Sequence, residues 1–292
     1  SKARLRSLIK QELRADADKY GDARRAPLVE RSAAQALDAS ELVASEPVTI
    51  VLSEKGWVRS ARGHDVDASA LSYREGDAYL GSTRGKSSQQ AVFIDSTGRS
   101  YSTPAHALPS ARGNGEPLTG RFTPPAGARF DAVAIGDNAA SLILATDAGH
   151  GFLTRFEGLL ANKKAGKQVI NIDNDARVLA PAYVNDPARD RIVAVTTAGH
   201  LLMFSVADLP ELERGRGNKL IEIPKARLQS GEERVAGIAV VTEGSGEVTL
   251  HAGARKLTLK WADLVEYGGN RAQRGGLLPR GLRRVDRIET TG

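Results

Sequence analysis

One two-stranded unit, written five times along the chain, restricts the possible folds more than any other feature. Its fullest copy is Ser141–Arg155, S-L-I-L-A-T-D-A-G-H-G-F-L-T-R. A β-rich run, Leu142–Thr146, meets a tight turn at Asp147-Ala148-Gly149 and a second run follows from Gly151. Gly149 supplies the positive φ that such a turn needs at no steric cost. The unit returns at Val48–Arg59, Ala91–Tyr101, Arg191–Phe204 and, in its most degenerate form, Glu247–Leu259. The turn glycines Gly56, Gly98, Gly149, Gly199 and Gly253 are spaced by 42, 51, 50 and 54 residues. A single hairpin cannot bury its apolar face, so units at this period must stack side by side. The pattern predicts a propeller-like array of about five blades. A two-sheet sandwich with coincidental spacing is the competing architecture. Apolar runs at Phe130–Ile135, Val178–Val184 and Val235–Val241 are candidates for innermost strands.

Residues 1–26 read differently. Leu5, Leu8, Ile9 and Leu13 recur at helical spacing, and Gly21 offers a stop. A lone helix of this length is marginal in water, so it reads as the end of a longer element. Residues 27–46 then read as a linker and 47–292 as the β-array.

Composition narrows the chemistry. The chain has 292 residues and 41% hydrophobic content, but only 5% aromatic, so its core is aliphatic. With no cysteine there are neither disulfides nor thiolate metal sites. No apolar run approaches the ~18–20 residues that span a bilayer, and cytoplasmic residence is the expectation. The net charge of +6 favours a polyanionic partner. Four glycine-containing basic stretches stand out as connections between units. They contain Arg84 and Lys86; Lys163, Lys164 and Lys167; Arg214, Arg216 and Lys219; and Arg271 and Arg274. Cations beside flexible backbone suit phosphate contact, and equivalent connections on one rim would make a track for duplex DNA. The same residues also fit plain solvated loops. Few groups able to read bases lie near them, so the expected binding is independent of sequence. Gly81–Ser87 is one residue short of a nucleotide-binding loop. His150 and His200 each follow a turn glycine and read as structural, and Trp57 and Trp261 read as packing residues.

Two terminal stretches carry a family resemblance. Ile9, Glu12, Leu13 and Tyr20-Gly21-Asp22-x-Arg24-Arg25 resemble the end of the coiled-coil arm in the DNA-cleaving subunit of bacterial type IIA topoisomerases. Leu52–Arg59 (L-S-E-K-G-W-V-R) and Leu278–Ile288 resemble the C-terminal region of the topoisomerase IV branch of that family. The resemblance implies a β-pinwheel of four-stranded blades with swapped outer strands, which binds and bends duplex DNA and directs the enzyme to supercoiled or catenated substrates. It also implies that this region is not an enzyme on its own, since the family's catalytic tyrosine lies upstream; Tyr20 is not that residue. No cofactor is implied here, although the full enzyme uses ATP and Mg. The implied partners are duplex DNA, the N-terminal gate region of the same polypeptide, and the second, ATPase subunit of topoisomerase IV. The gyrase branch carries a basic box, Q-R-R-G-G-x-G, in its first blade. Here the first-unit stretch Gly81–Ser87 lacks it, and the nearest match is Gln273-Arg274-Gly275-Gly276. A propeller that serves as a protein–protein scaffold is the alternative.

Overall fold

The computed structural model describes residues 1–22, 45–173 and 175–291. The chain divides into two units, 1–39 and 40–292. In the first, Lys2–Tyr20 is a helix, closed by the Gly21 N–H on the Ala17 carbonyl at 2.9 Å. Its stripe of Leu5, Leu8, Ile9 and Leu13 is exposed. The expected linker lies outside the described residues, apart from Ser45 and Glu46.

The second unit is five antiparallel sheets, each built on one of the five hairpins. Blade 1 runs, from inner to outer edge, Tyr79–Lys86, Pro47–Ser53, Trp57–Arg62 and Glu116–Pro117. Blade 2 is Phe130–Gly136, Gln90–Asp95, Arg99–Pro104 and Lys167–Gln168. Blade 3 is Ala182–Val184, Ser141–Ala145, His150–Arg155 and Asn218–Lys219. Blade 4 is Val235–Thr242, Asp190–Thr196, His200–Ser205 and Gly276–Leu277. Blade 5 has three strands among the described residues: Arg287–Thr291, Glu247–Ala252 and Arg255–Lys260. The five-bladed expectation holds; four strands per blade holds for four of them. The runs at 130, 178 and 235 do supply inner strands, but each pairs with the hairpin before it in sequence, not the one after.

Local chemistry makes each hairpin. Gly56, Gly98, Gly149, Gly199 and Gly253 all have positive φ. A buried polar residue ends the first strand in three copies. Ser53, Asp95 and Thr196 accept the backbone N–H four residues on, at 3.0, 3.0 and 3.2 Å. Each sits at a register shift against the inner strand, where one polar group satisfies the kinked backbone.

Packing follows the two-residue period of a strand. In blade 2, Ala91 and Phe93 join Ile50 and Leu52 of blade 1, while Val92 and Ile94 join Leu142 and Leu144 of blade 3. Blade 3 sends Ile143 and Ala145 toward Ile192 and Ala194 of blade 4, whose Val193 and Val195 meet Val248 and Leu250 of blade 5. The middle blades therefore have two apolar faces, and their strands read as unbroken apolar runs. The end blades have one. On the face of blade 5 turned from blade 4 stand Glu247, Thr249 and His251, opposite Lys260, Thr258 and Lys256.

Outer strands are donated from the next repeat. After each hairpin a short helical turn starts on a small or apolar residue (Ala68, Ala105, Phe156, Val206, Trp261) and reaches a leucine: Leu71, Leu108, Leu159, Leu209, Leu264. From there to the next inner strand the chain runs 22, 23, 26 and 23 residues in repeats 2 to 5, but 8 in the first. The longer connections cross back to the outer edge of the preceding blade. In the first repeat no such crossing exists. Residues 63–78 instead fold over blade 1's own free face, where the buried Arg59 donates to the Ser72 carbonyl at 2.8 Å and lies 4.7 Å from the Tyr73 ring. The segment that would cover blade 5 is thus missing from the sequence itself.

Candidate nucleic-acid interface

Each donated strand is fastened the same way. One residue past the strand stands Leu118, Val169, Leu220 or Leu278, fully buried. Its N–H donates to the carbonyl of the turn glycine it crosses: Gly56, Gly98, Gly149 and Gly199, at 2.9, 2.9, 2.7 and 2.8 Å. Three residues before that anchor is a glycine at positive φ: Gly115, Gly166, Gly217 and Gly275. A Cβ on Gly217 would stand 2.1 Å from the Gly151 carbonyl oxygen; on Gly115, 2.2 Å from that of Val58; on Gly275, 2.4 Å from that of Leu201. The spacing Gly-x-x-aliphatic is therefore set by the approach of the donated segment to the hairpin it covers. These glycines are explained by protein–protein contact, not by a phosphate that needs room.

Successive donated segments also bond to one another. The N–H groups of Thr123, Asn171 and Glu222 donate to the carbonyls of Lys164, Gly215 and Gln273, each at 2.8 Å. At the blade 1 end the Gly113 carbonyl accepts from Arg59 Nη1 at 3.1 Å. The result is a belt of linked segments along the outer edges of blades 1 to 4.

The cations sort by their place on this belt. Three residues before the glycine stand Arg112, Lys163 and Arg214, all exposed, and none of their side chains makes an ion pair or hydrogen bond among the described residues. Lys164 is equally free, and Lys167 donates to the Gly158 carbonyl at 2.9 Å. In blade 4 the corresponding position is Ala272, at φ 65°. The other candidates are engaged. Arg216 bonds Asp173 at 2.6 Å and His150 Nε2 at 3.2 Å. Lys219 bonds Glu222 at 2.6 Å, and Arg271 reaches the Lys219 carbonyl at 2.7 Å. Arg274 spans from the Glu222 carbonyl to the fully buried Glu233, at 2.9 and 2.7 Å. The box-like Gln273–Gly276 is thereby a fastening of the donated segment. Burial works against ionisation of Glu233, but hydrogen bonds from Arg274 and Thr196 and the charges of Arg274 and Arg227 outweigh it and hold the carboxyl below its ordinary range.

Arg84 and Lys86 require a correction. They lie on the inner strand Tyr79–Lys86, not in a connection between repeats, so they stand apart from the belt. Gly85, between them, faces Ile135 of blade 2, which turns both cations to the opposite, exposed side. The same strand removes the near-match to a nucleotide loop. The residue that takes the place expected of them is Arg112, in S-A-R-G-N-G-E-P. Measuring from each post-hairpin leucine to its Gly-x-x-aliphatic would have found it.

His150 and His200 occupy equivalent ladder positions, opposite donated residues Lys219 and Leu277. Burial, then the neighbouring charge of Arg216 or Arg274, pushes both below the usual imidazole range. Trp57 lies under the Arg74 guanidinium at 4.2 Å, and Trp261 packs at the edge of the blade 4–5 core. Among the described residues no group of three His, Cys, Asp or Glu side chains could hold a metal ion, and no helix is long and apolar enough to cross a membrane.

Comparison with known proteins agrees with this architecture. Residues 140–185 and 190–242 match the family described as DNA gyrase C-terminal domain, beta-propeller. The ParC subunit of DNA topoisomerase 4 from Pseudomonas aeruginosa is 53% identical over 288 residues, covering 99% of this chain and 38% of that protein. Its Escherichia coli counterpart is 47% identical over 289 residues, with the same coverage. The chain thus spans 38% of the length of these relatives. The solved structure of the E. coli ParC C-terminal domain superposes with a TM-score of 0.68 at 47% identity, over 85% of this chain and 99% of that one.

Proposed function

The chain belongs to the family of the ParC C-terminal domain of DNA topoisomerase IV, and from that premise we propose that it binds duplex DNA along the belt of donated segments, without reading sequence. The observation that carries this reading is the repeated exposed cation, Arg112, Lys163 and Arg214, at one position in three successive segments. Lys164 and Lys167 extend the row in blade 2, and Arg216, Lys219, Arg271 and Arg274 line it while holding their protein partners. Arg84 and Lys86 would touch a duplex only from the inner strand.

In this proposal the domain does no strand cleavage. It bends the duplex along the curve of the belt and presents supercoiled or catenated DNA to the gate region of the same polypeptide. It works with the ATPase subunit of topoisomerase IV and with the ATP and Mg of the whole enzyme. The setting is the bacterial cytoplasm, at the nucleoid, in decatenation and chromosome segregation. Binding through phosphates makes affinity fall steeply with salt, by about 0.9 logarithmic units per contact for each tenfold rise in salt.

The test is duplex binding across a salt series for the wild type and for Lys163→Glu with Arg214→Glu. The reading requires weaker binding and a slope shallower by about two contacts' worth. Salt-insensitive capture of a protein partner, with no DNA affinity, would support the scaffold alternative.

A further inference from the structure

Blade 5 has no donated strand, so Arg255–Lys260 is its outermost strand among the described residues. Lys256 and Leu257 stand where His150–Gly151 and His200–Leu201 stand in blades 3 and 4, because Leu250 pairs Leu257 as Ala145 pairs Gly151 and Val195 pairs Leu201. In those blades a donated strand covers the position. Here Lys256 is exposed.

We propose that this bare strand is a fifth contact for the phosphate backbone, made by Lys256 and Lys260 with Arg280 and Arg284, at the point where the belt ends. The inference rests on the duplex-binding reading above and extends it to residues outside the belt. Leu257 and Leu259 face the core shared with blade 4, which turns Lys256, Thr258 and Lys260 to the opposite side. Lys256 and Lys260 lie four residues apart on one face, about 13 Å along the strand. Arg255 Nη1 bonds the Gly281 carbonyl at 3.4 Å, which brings the loop 279–284 to the start of the same strand. Arg280 and Arg284 are exposed and unpaired among the described residues, while Arg283 Nε is taken by the Leu278 carbonyl at 3.0 Å.

The acidic groups nearby are mostly engaged: Glu289 with His251 and Arg287, Asp286 with the Gly253 N–H, and Asp263 with the Lys260 N–H. Glu247, opposite Lys260, is half-buried. A protein strand is the less suitable occupant. Exposed lysines on an edge strand oppose β-addition, and the free face, unlike those of the middle blades, is polar.

The absence of native cysteine permits a direct test. Thr258→Cys and, separately, Asn162→Cys on the belt are coupled to an iron chelate that generates hydroxyl radicals and bound to a linear duplex at low salt. Cleavage from both positions is expected. Cleavage from 162 alone overturns the fifth contact and leaves the belt intact; cleavage from neither overturns both. Lys256→Glu with Lys260→Glu lowers the salt slope by about 1.8 with unchanged thermal unfolding; an unchanged slope overturns the proposal. Protection of amides 255–260 by a Gly-x-x-Leu peptide, with no DNA effect, assigns the edge to protein and also overturns it.

Discussion

Blades 3 and 5 start from the same hairpin and end as different objects. Blade 3 is covered on both faces and on its outer edge. Ile143 and Ala145 face one neighbour, Leu142 and Leu144 the other, and Asn218–Lys219 closes the edge. Blade 5 has one apolar face and an open edge rich in cations. Its hairpin reads as the weakest copy in the sequence because Glu247, Thr249 and His251 interrupt the apolar run of its first strand. That is what a terminal unit of a stacked array needs, since its outer face meets no neighbour. Blade 1 solves the same problem by folding residues 63–78 over itself. The donated segment therefore has two roles in the middle of the array, as a clamp between blades and as a carrier of cations. At the end the two separate: the clamp is absent and the cations sit on the strand itself.

The sharpest way to break this comparison is to remove a clamp. Leu220→Ala empties a site buried between blades 3 and 4 and should cost about 2–5 kcal/mol in denaturant unfolding. Thr258→Ala on the blade 5 edge should stay within about 0.5 kcal/mol. Equal losses would mean that the donated strands do not hold the array.

Gly217→Ala tests the same clamp through the backbone. The added Cβ meets the Gly151 carbonyl and the φ of 76° is strained, so a loss of roughly 1–3 kcal/mol or more is expected. Gly253→Ala, with open space around it, should lose less despite its φ of 58°.

Next in size is Arg274→Ala, which leaves the buried Glu233 with Arg227 at 3.4 Å as its remaining cation. The wild-type carboxyl is held low in the folded state. It therefore contributes stability that is present above the ordinary carboxylate range and lost as pH falls through its folded value. Arg274→Ala should flatten that acid dependence. Asp131 and Asp147 act in the opposite sense, because burial raises them and favours the protonated form, so the comparison must be variant against wild type.

The smallest effect is expected at the histidines. His150 and His200 are lowered in the folded state, so the unfolded chain takes up protons first as pH drops below about 6.5. Stability should decline between about pH 7 and 5.5, and His150→Gln should reduce that decline. A slope that survives in the double variant with His200→Gln would place its origin elsewhere.

The sequence by itself determined the repeated unit, the number of blades and the turn glycines, because hairpin formation is local: a two-residue hydrophobic period, a positive-φ residue and a short polar cap are all readable in a dozen residues. It also pointed to three of the four basic stretches. It did not determine which blade a strand serves, since pairing between segments far apart in sequence depends on the stacked neighbours. That is why Arg84 and Lys86 read as a connection and prove to be inner strand, why Arg112 escapes notice, and why the glycines before each donated strand suggest a phosphate. Only the tertiary structure decided which cations are free. Arg214 and Arg274 are alike in sequence, yet one faces solvent and the other is bound to a buried carboxylate. Charge becomes available or committed only once the chain has brought its partners within hydrogen-bonding distance.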